Sequence, residues 1–168
     1  MRKRLALCCV ILLIAWPLVQ AETPRYKVKV EIDKHANFSR FKTYTWEPGW
    51  DAFDKNINDY IHTAIERELR VRGLTEGRPN ASDVTVTYAT LRWTDTDLDA
   101  KRTPAGLKPS FPVAALLVLI RDPRTHAELF RARSDTAVDL DPKTFQTTID
   151  HQVSQIFAKY PVREMAKR

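Results

Sequence analysis

Residues Asn37–Trp46 read NFSRFKTYTW, four aromatic rings and two cations in ten positions. Such a stretch is either a surface that stacks bases and holds phosphates or the beginning of a buried core. RNA-binding strands place glycines beside their aromatics so that bases can approach the sheet, and this stretch has none. As a strand it puts Tyr44 and Trp46 on one side and Thr43 and Thr45 on the other. The two large rings therefore face the interior, and Phe38 and Phe41 close the loop that leads in. No nucleic-acid partner is expected.

Outward from this strand the chain alternates between two periods. YKVKVEID (26–33) sets Val28, Val30 and Ile32 against Lys27, Lys29 and Glu31, a strand with one dry and one wet face. NINDYIHTAIERELRVRGL (56–74) repeats Ile57, Ile61, Ile65 and Leu69 every fourth residue, with Tyr60, Ala64 and Val71 expected to widen the stripe. Asp54 or Asn56 is placed to cap this helix and Gly73 to end it. SDVTVTYATLRW (82–93) is a strand whose apolar phase changes near Ala89, as at a bulge. VAALLVLI (113–120) is apolar on both parities and is read as a central strand. LFRARSDTAV (129–138) is a further strand, and Asp141-Pro142 opens a last helix with Phe145, Ile149, Val153, Ile156, Phe157 and Tyr160 on its dry face.

The order β-β-α-β-β-β-α places most strands next to strands. It predicts an α+β domain: a largely antiparallel sheet of about five strands with two helices packed on one face. The irregular stretch is Asp99–Pro112, with three prolines and three basic residues.

The compartment is written at the N-terminus. Arg2, Lys3 and Arg4 precede the apolar run Leu5–Val19, and Val19-Gln20-Ala21 supplies the small residues of a cleavage site. Residues 1–21 are expected to be a signal peptide cleaved after Ala21, leaving residues 22–168 as a single periplasmic domain. Without the three leading cations, 24 basic residues face 21 acidic ones, so much of the formal +6 belongs to the export signal. Both cysteines, Cys8 and Cys9, lie inside that signal, too early and behind Leu7 rather than small residues, so lipidation is not expected. Membrane contact is expected only through this segment if it is retained.

The motif Ile32–Trp46, IDKHANFSRFKTYTW, resembles the opening signature of a bacterial envelope family, Domain of Unknown Function 4136. Three further pieces are similar in order: the helix end and strand of 68–90, the hairpin of 116–134 and the closing helix of 149–162. The chain departs from the family pattern at Phe130 and Ala132, where a Trp and a Gly are common. Many members are lipoproteins, unlike the expectation here. The resemblance implies an envelope location and a shared fold, and no activity.

No chemistry is legible. The glycines (49, 73, 77 and 106) build no serine elbow, Walker loop or dinucleotide fingerprint. Asp95, Asp97 and Asp99 imitate the start of a calcium loop, but Ala100 and Gly106 occupy positions where it needs Gly and Glu. His62 and Glu66 lie one helical turn apart without the second histidine a metal site requires, and are assigned to a solvated helix face. No catalytic residue, cofactor or metal is expected. The function read from the sequence is a non-catalytic envelope domain that binds another envelope component, most simply a protein. A carrier of lipid or a small apolar ligand is the alternative, suggested by the doubly apolar strand. Candidate contact residues are Trp50, in WEPGW, and Phe111, at the end of the irregular loop.

Overall fold

The structure, a computed structural model, describes residues 27–52, 54–138 and 141–161; the expected signal and cleavage point lie outside them. Six strands form one sheet: β1 (Lys29–Ile32), β2 (Thr43–Trp46), β3 (Thr75–Glu76), β4 (Val84–Thr96), β5 (Ser110–Arg121) and β6 (Glu128–Ala137). Two helices, α1 (Lys55–Val71) and α2 (Phe145–Phe157), complete the domain. The spatial order is β1-β6-β5-β4-β2-β3. No helix among the described residues is long and apolar enough to cross a membrane.

The α+β class, the largely antiparallel sheet and the element order hold, with one extension and one added detail. The extension is β3, a two-residue strand inside the turn that follows α1. The sheet is largely antiparallel, through the β1–β6, β4–β5 and β5–β6 pairs, and the added detail is that β2 runs parallel to both β3 and β4. The cause is α1. A helix of 17 residues between neighbouring strands carries the chain back to the end from which it started, and the next strand must then run parallel.

Local signals set the helix ends. Asp54, not Asn56, caps α1, accepting from the amides of Asn56 (2.8 Å) and Ile57 (3.3 Å). Gly73 terminates it at φ +81°, a conformation that costs glycine little. Ile61, Ala64, Ile65 and Leu69 are buried as the spacing predicts, but Tyr60 and Val71 are exposed, since they fall off the edges of the stripe. Before α2 stands a short 3-10 turn, Pro142–Thr144, in which Asp141 accepts from the Lys143 amide (3.0 Å).

One core unites the helices with a single face of the sheet. Val84, Val86, Val118, Ile120, Phe130 and Ala132 are fully buried there, together with Ile65 and Leu69 of α1 and Val153, Ile156 and Phe157 of α2. Phe130 meets Phe157 (6.3 Å between centroids) and Tyr160 (5.3 Å), and Tyr160 meets Phe38 (5.2 Å). Burial of each such ring contributes about 2–3 kcal/mol. Arg72 binds the two helices at their C-terminal ends: it pairs with Glu68 (2.7 Å), donates to the Phe157 carbonyl and lies over the Phe157 ring.

The expected break in β4 is absent. Its pairing with β5 runs without a shift from Thr85↔Arg121 to Thr96↔Ser110. Leu91 and Trp93 change phase because they face the other side of the sheet, away from the helices. Beside them Gly49 lets the chain touch β4: a Cβ at Gly49 would stand 2.1 Å from the Tyr88 carbonyl oxygen. The Trp50 amide donates to that carbonyl (3.1 Å), and the Trp50 carbonyl accepts from the Thr90 amide (3.0 Å).

Two predictions follow from these contacts. Gly49→Ala should lose about 2–3 kcal/mol, because the clash is with backbone in a paired strand, and should deprotect the Thr90 amide in hydrogen exchange. A native melting temperature with a protected Thr90 would show that residues 48–50 do not bridge to β4. The second concerns Asp83, whose carboxylate accepts from the Lys42 amide (2.8 Å), the Thr43 amide (2.9 Å) and the Thr43 hydroxyl (3.0 Å). These bonds, the Lys42 amide foremost, hold its carboxyl below the ordinary 3.8. A lowered folded-state value means that its stabilisation is complete above pH 3.8 and is lost as pH falls below that point. Asp83→Ala should therefore cost about 1 kcal/mol near neutrality, allowing for its exposure. The gap between variant and parent melts should close on acidification below pH 3.8, and a gap that stays constant there would contradict the assignment.

Candidate functional site

The face of the sheet opposite the helices carries the second apolar row of β5. Val113 and Ala115 are buried, Leu119 nearly so, and Leu117 is half-buried. Registers extend this row across the sheet: Ala89 pairs with Leu117, Leu91 with Ala115 and Trp93 with Val113. Trp50 bridges to Ala89 in parallel, which sends its side chain to the same side. It is 72% exposed and Leu91 is 47% exposed. Trp50, Ala89, Leu91 and Leu117 thus form an apolar patch fixed by ladder geometry rather than by loop packing.

The polar end of this face is closed by its own side chains. The Arg133 guanidinium lies 5.6 Å from the centre of the Trp93 ring and pairs with Asp135 (2.7 Å). Because Arg133 is on β6 and Trp93 on β4, the contact spans β5 and helps to cover its apolar row. Lys29, Glu31 and Arg131 continue the face as a charged margin.

The irregular loop does not fold back over this row. Residues 101–107 are exposed, and the hairpin of β4 and β5 projects with the loop at its tip. Phe111, expected to end a loop, is the second residue of β5, opposite Asp95 and half-buried. The two candidate contact residues are therefore separated along β4: Trp50 is level with Ala89, Phe111 with Asp95.

A concavity of about 420 Å³ opens between the end of β2 and the start of α1. Trp46 and His62 form its wall, stacked with centroids 4.0 Å apart. Tyr88 and Tyr44 meet the Trp46 ring edge-on at 6.1 and 6.0 Å. The Tyr88 hydroxyl donates to Asn58 Oδ1 (3.0 Å), which also accepts from the Ala52 amide (2.7 Å), so Asn58 ties α1 to the WEPGW turn. Burial, reinforced by the charge of Asp51, pushes the Tyr88 phenol up to about 12. It stays protonated at physiological pH and donates its hydrogen bond.

The stretch Asn37–Trp46 is thus core at Tyr44 and rim at Trp46. Sequence reasoning missed the partner of that rim: His62, assigned to a solvated face, stacks on Trp46 and also approaches Glu66 (3.3 Å). The available signal was its position directly after the buried Ile61, at the border of the stripe. Asp59 pairs with Lys55 (2.7 Å), and Asp97 Oδ1 accepts from the Asp99 and Ala100 amides (both 3.0 Å), so these carboxylates have local structural duties. His126 occupies a turn 3.8 Å from Glu47, while His151 contacts Gln155 on α2.

Solved structures share the fold at low identity. A PDZ domain protein from Parabacteroides distasonis superposes with a TM-score of 0.54 at 17% identity, over 84% of this chain. The chain spans 38% of the length of that protein. PelC from Paraburkholderia phytofirmans, described as a dodecamer, gives a TM-score of 0.55 at 11% identity, over 83% of this chain and 99% of PelC. A second dodecameric crystal form of PelC gives 0.53 at 10% identity, over 79% of this chain and 95% of PelC. No curated protein matches the sequence. A family match covers residues 28–162, nearly every described residue, and on that match the chain belongs to the family described as Domain of unknown function (DUF4136).

Proposed function

We propose that this chain is an exported, non-catalytic domain of the bacterial cell envelope that works by holding another envelope protein against the open face of its sheet. The observation that carries the reading is Trp50. A large ring 72% exposed stands on backbone held by two hydrogen bonds to β4, so its place on the open face is set before any partner arrives. Exposed aromatics have only two side-chain torsions to order on docking and are common anchors of protein interfaces. Its neighbours Ala89, Leu91 and Leu117 supply the dry centre, and Lys29, Glu31 and Arg131 a polar rim, the usual arrangement of an interface.

Export rests on the basic start, the apolar run Leu5–Val19 and the Ala21 cleavage site. The envelope reading is also what the family resemblance implies. The carrier alternative has less support. The doubly apolar strand that suggested it divides its two rows between the helix-side core and the open face, and the side chains of the helix-side row pack directly against α1 and α2. A second copy of this chain is one candidate for the protein partner, since PelC, of similar fold, is described as dodecameric.

A photoreactive amino acid at position 50 should crosslink to a discrete partner in intact cells, whereas one at Arg70, exposed on α1, should not give that product. Trp50→Ser in a chain carrying the probe at Leu91 should abolish the product while changing stability by less than about 0.5 kcal/mol. Absence of a product at position 50, or the same products from both faces, would contradict the reading.

A further inference from the structure

The hairpin of β4 and β5 ends in an apex, Lys101-Arg-Thr-Pro-Ala-Gly-Leu-Lys108, whose five central residues are uncharged and flanked by cations on both sides. From these features we infer that the apex is a membrane-contact element that dips into the surface of an anionic bilayer. The inference goes beyond the protein contact proposed above and uses a different part of the molecule.

Three observations converge on it. First, Leu107 is 67% exposed on a projecting tip, and the residues from Lys101 to Leu107 are all exposed. Second, the charges of the apex are not neutralised within it. Ala100–Pro109 contains Lys101, Arg102 and Lys108 and no carboxylate. Arg102 donates to the Gly106 carbonyl (2.7 Å) and Lys108 to the Ala100 carbonyl, so both are oriented by neutral acceptors and keep their charge for an outside anion.

Third, the apex satisfies much of its own backbone. The Thr103 amide donates to the Leu107 carbonyl (2.7 Å) and the Gly106 amide to the Thr103 carbonyl (2.8 Å). The Leu107 amide donates to Thr103 Oγ1 (3.3 Å), and Pro104 has no N–H to satisfy. A tip whose amides are already paired has fewer polar groups to strip of water when its apolar residues approach the acyl boundary. Gly106, at φ +79°, permits the turn that closes this set.

The chemistry then fits a lipid surface better than a protein groove. Leu107, Pro104 and Ala105 enter the acyl boundary, and the flanking cations stay at phosphate level, as amphipathic interfacial elements do. Asp95, Asp97 and Asp99 belong to the stem, before the first apex cation, so they oppose an anionic surface from farther back than the cations at the tip.

The test uses residues 22–168, which hold every described element and the whole family match, with vesicles of phosphatidylcholine alone or mixed with phosphatidylglycerol. The parent chain should co-sediment with the mixed vesicles, weaken as salt is raised, and bind the neutral vesicles poorly. Lys101→Glu and Arg102→Glu should each reduce partitioning at least about fivefold, the worth of one lost cation near an anionic surface. Leu107→Asp should reduce it at least as much. Melting temperatures should be unchanged for Leu107→Asp and Lys101→Glu, showing that the tip and not the fold was altered. Failure to bind mixed vesicles, equal binding to neutral ones, or binding indifferent to these substitutions would overturn the inference. So would an apex-dependent complex of two chains in the absence of vesicles, which would make the tip a protein contact.

Discussion

The twelve-pair antiparallel ladder between β4 and β5 is the constraint on which the rest of the structure depends. β5 is apolar on both parities, so whichever face the helices choose, a second apolar row remains on the other. The even-numbered row, with Leu116, Val118 and Ile120, joins Phe130 and Phe157 in the core. The odd-numbered row, with Val113, Ala115 and Leu117, must then be shielded by side chains that lie on the sheet itself. Arg133 over Trp93 shields one end and leaves the end near Trp50 apolar and open.

The ladder also decides what the two ends of the sheet can do. On one side β4 accepts β2 in parallel and then, after Gly49, the single bridge of Trp50. Beyond Ala89 no further strand joins that edge among the described residues, while β6 follows the other edge as far as Val113↔Ala137 and the cationic apex lies beyond it. An exposed apolar patch and an exposed basic loop therefore arise from the same pairing.

Much of this was legible in the sequence because period and chemistry agreed. Ile57, Ile61, Ile65 and Leu69 fix a helix, Asp141-Pro142 announces another, and the doubly apolar VAALLVLI declares a central strand. Where local signals and topology diverged, the sequence was silent or misleading. The parallel pairing of β2 with β4 depends on which strands become neighbours, which no local pattern encodes. The phase change at Leu91 suggested a bulge, yet the strand is regular and the residues merely serve two faces. His62 was read from its charge rather than from its place beside Ile61, and the stack on Trp46 was missed. Trp50 was named as a candidate contact residue, but its place on the open face could not be seen, because it depends on a glycine approaching a strand some forty residues away. The Asp99–Pro112 stretch was legible only as irregular; its residues 101–107 form an exposed tip closed by their own hydrogen bonds.

The central claim is that the open face is occupied in the living envelope. Oxidative footprinting followed by mass spectrometry reports the solvent access of individual tryptophans and tests it directly. In the purified protein Trp50 should label readily, and Trp93, half-buried beneath Arg133, more slowly. In intact cells the account predicts strong protection of Trp50 relative to Tyr60, which is exposed on α1. Equal labelling of Trp50 in cells and in the purified protein, with Tyr60 as the internal reference, would contradict it.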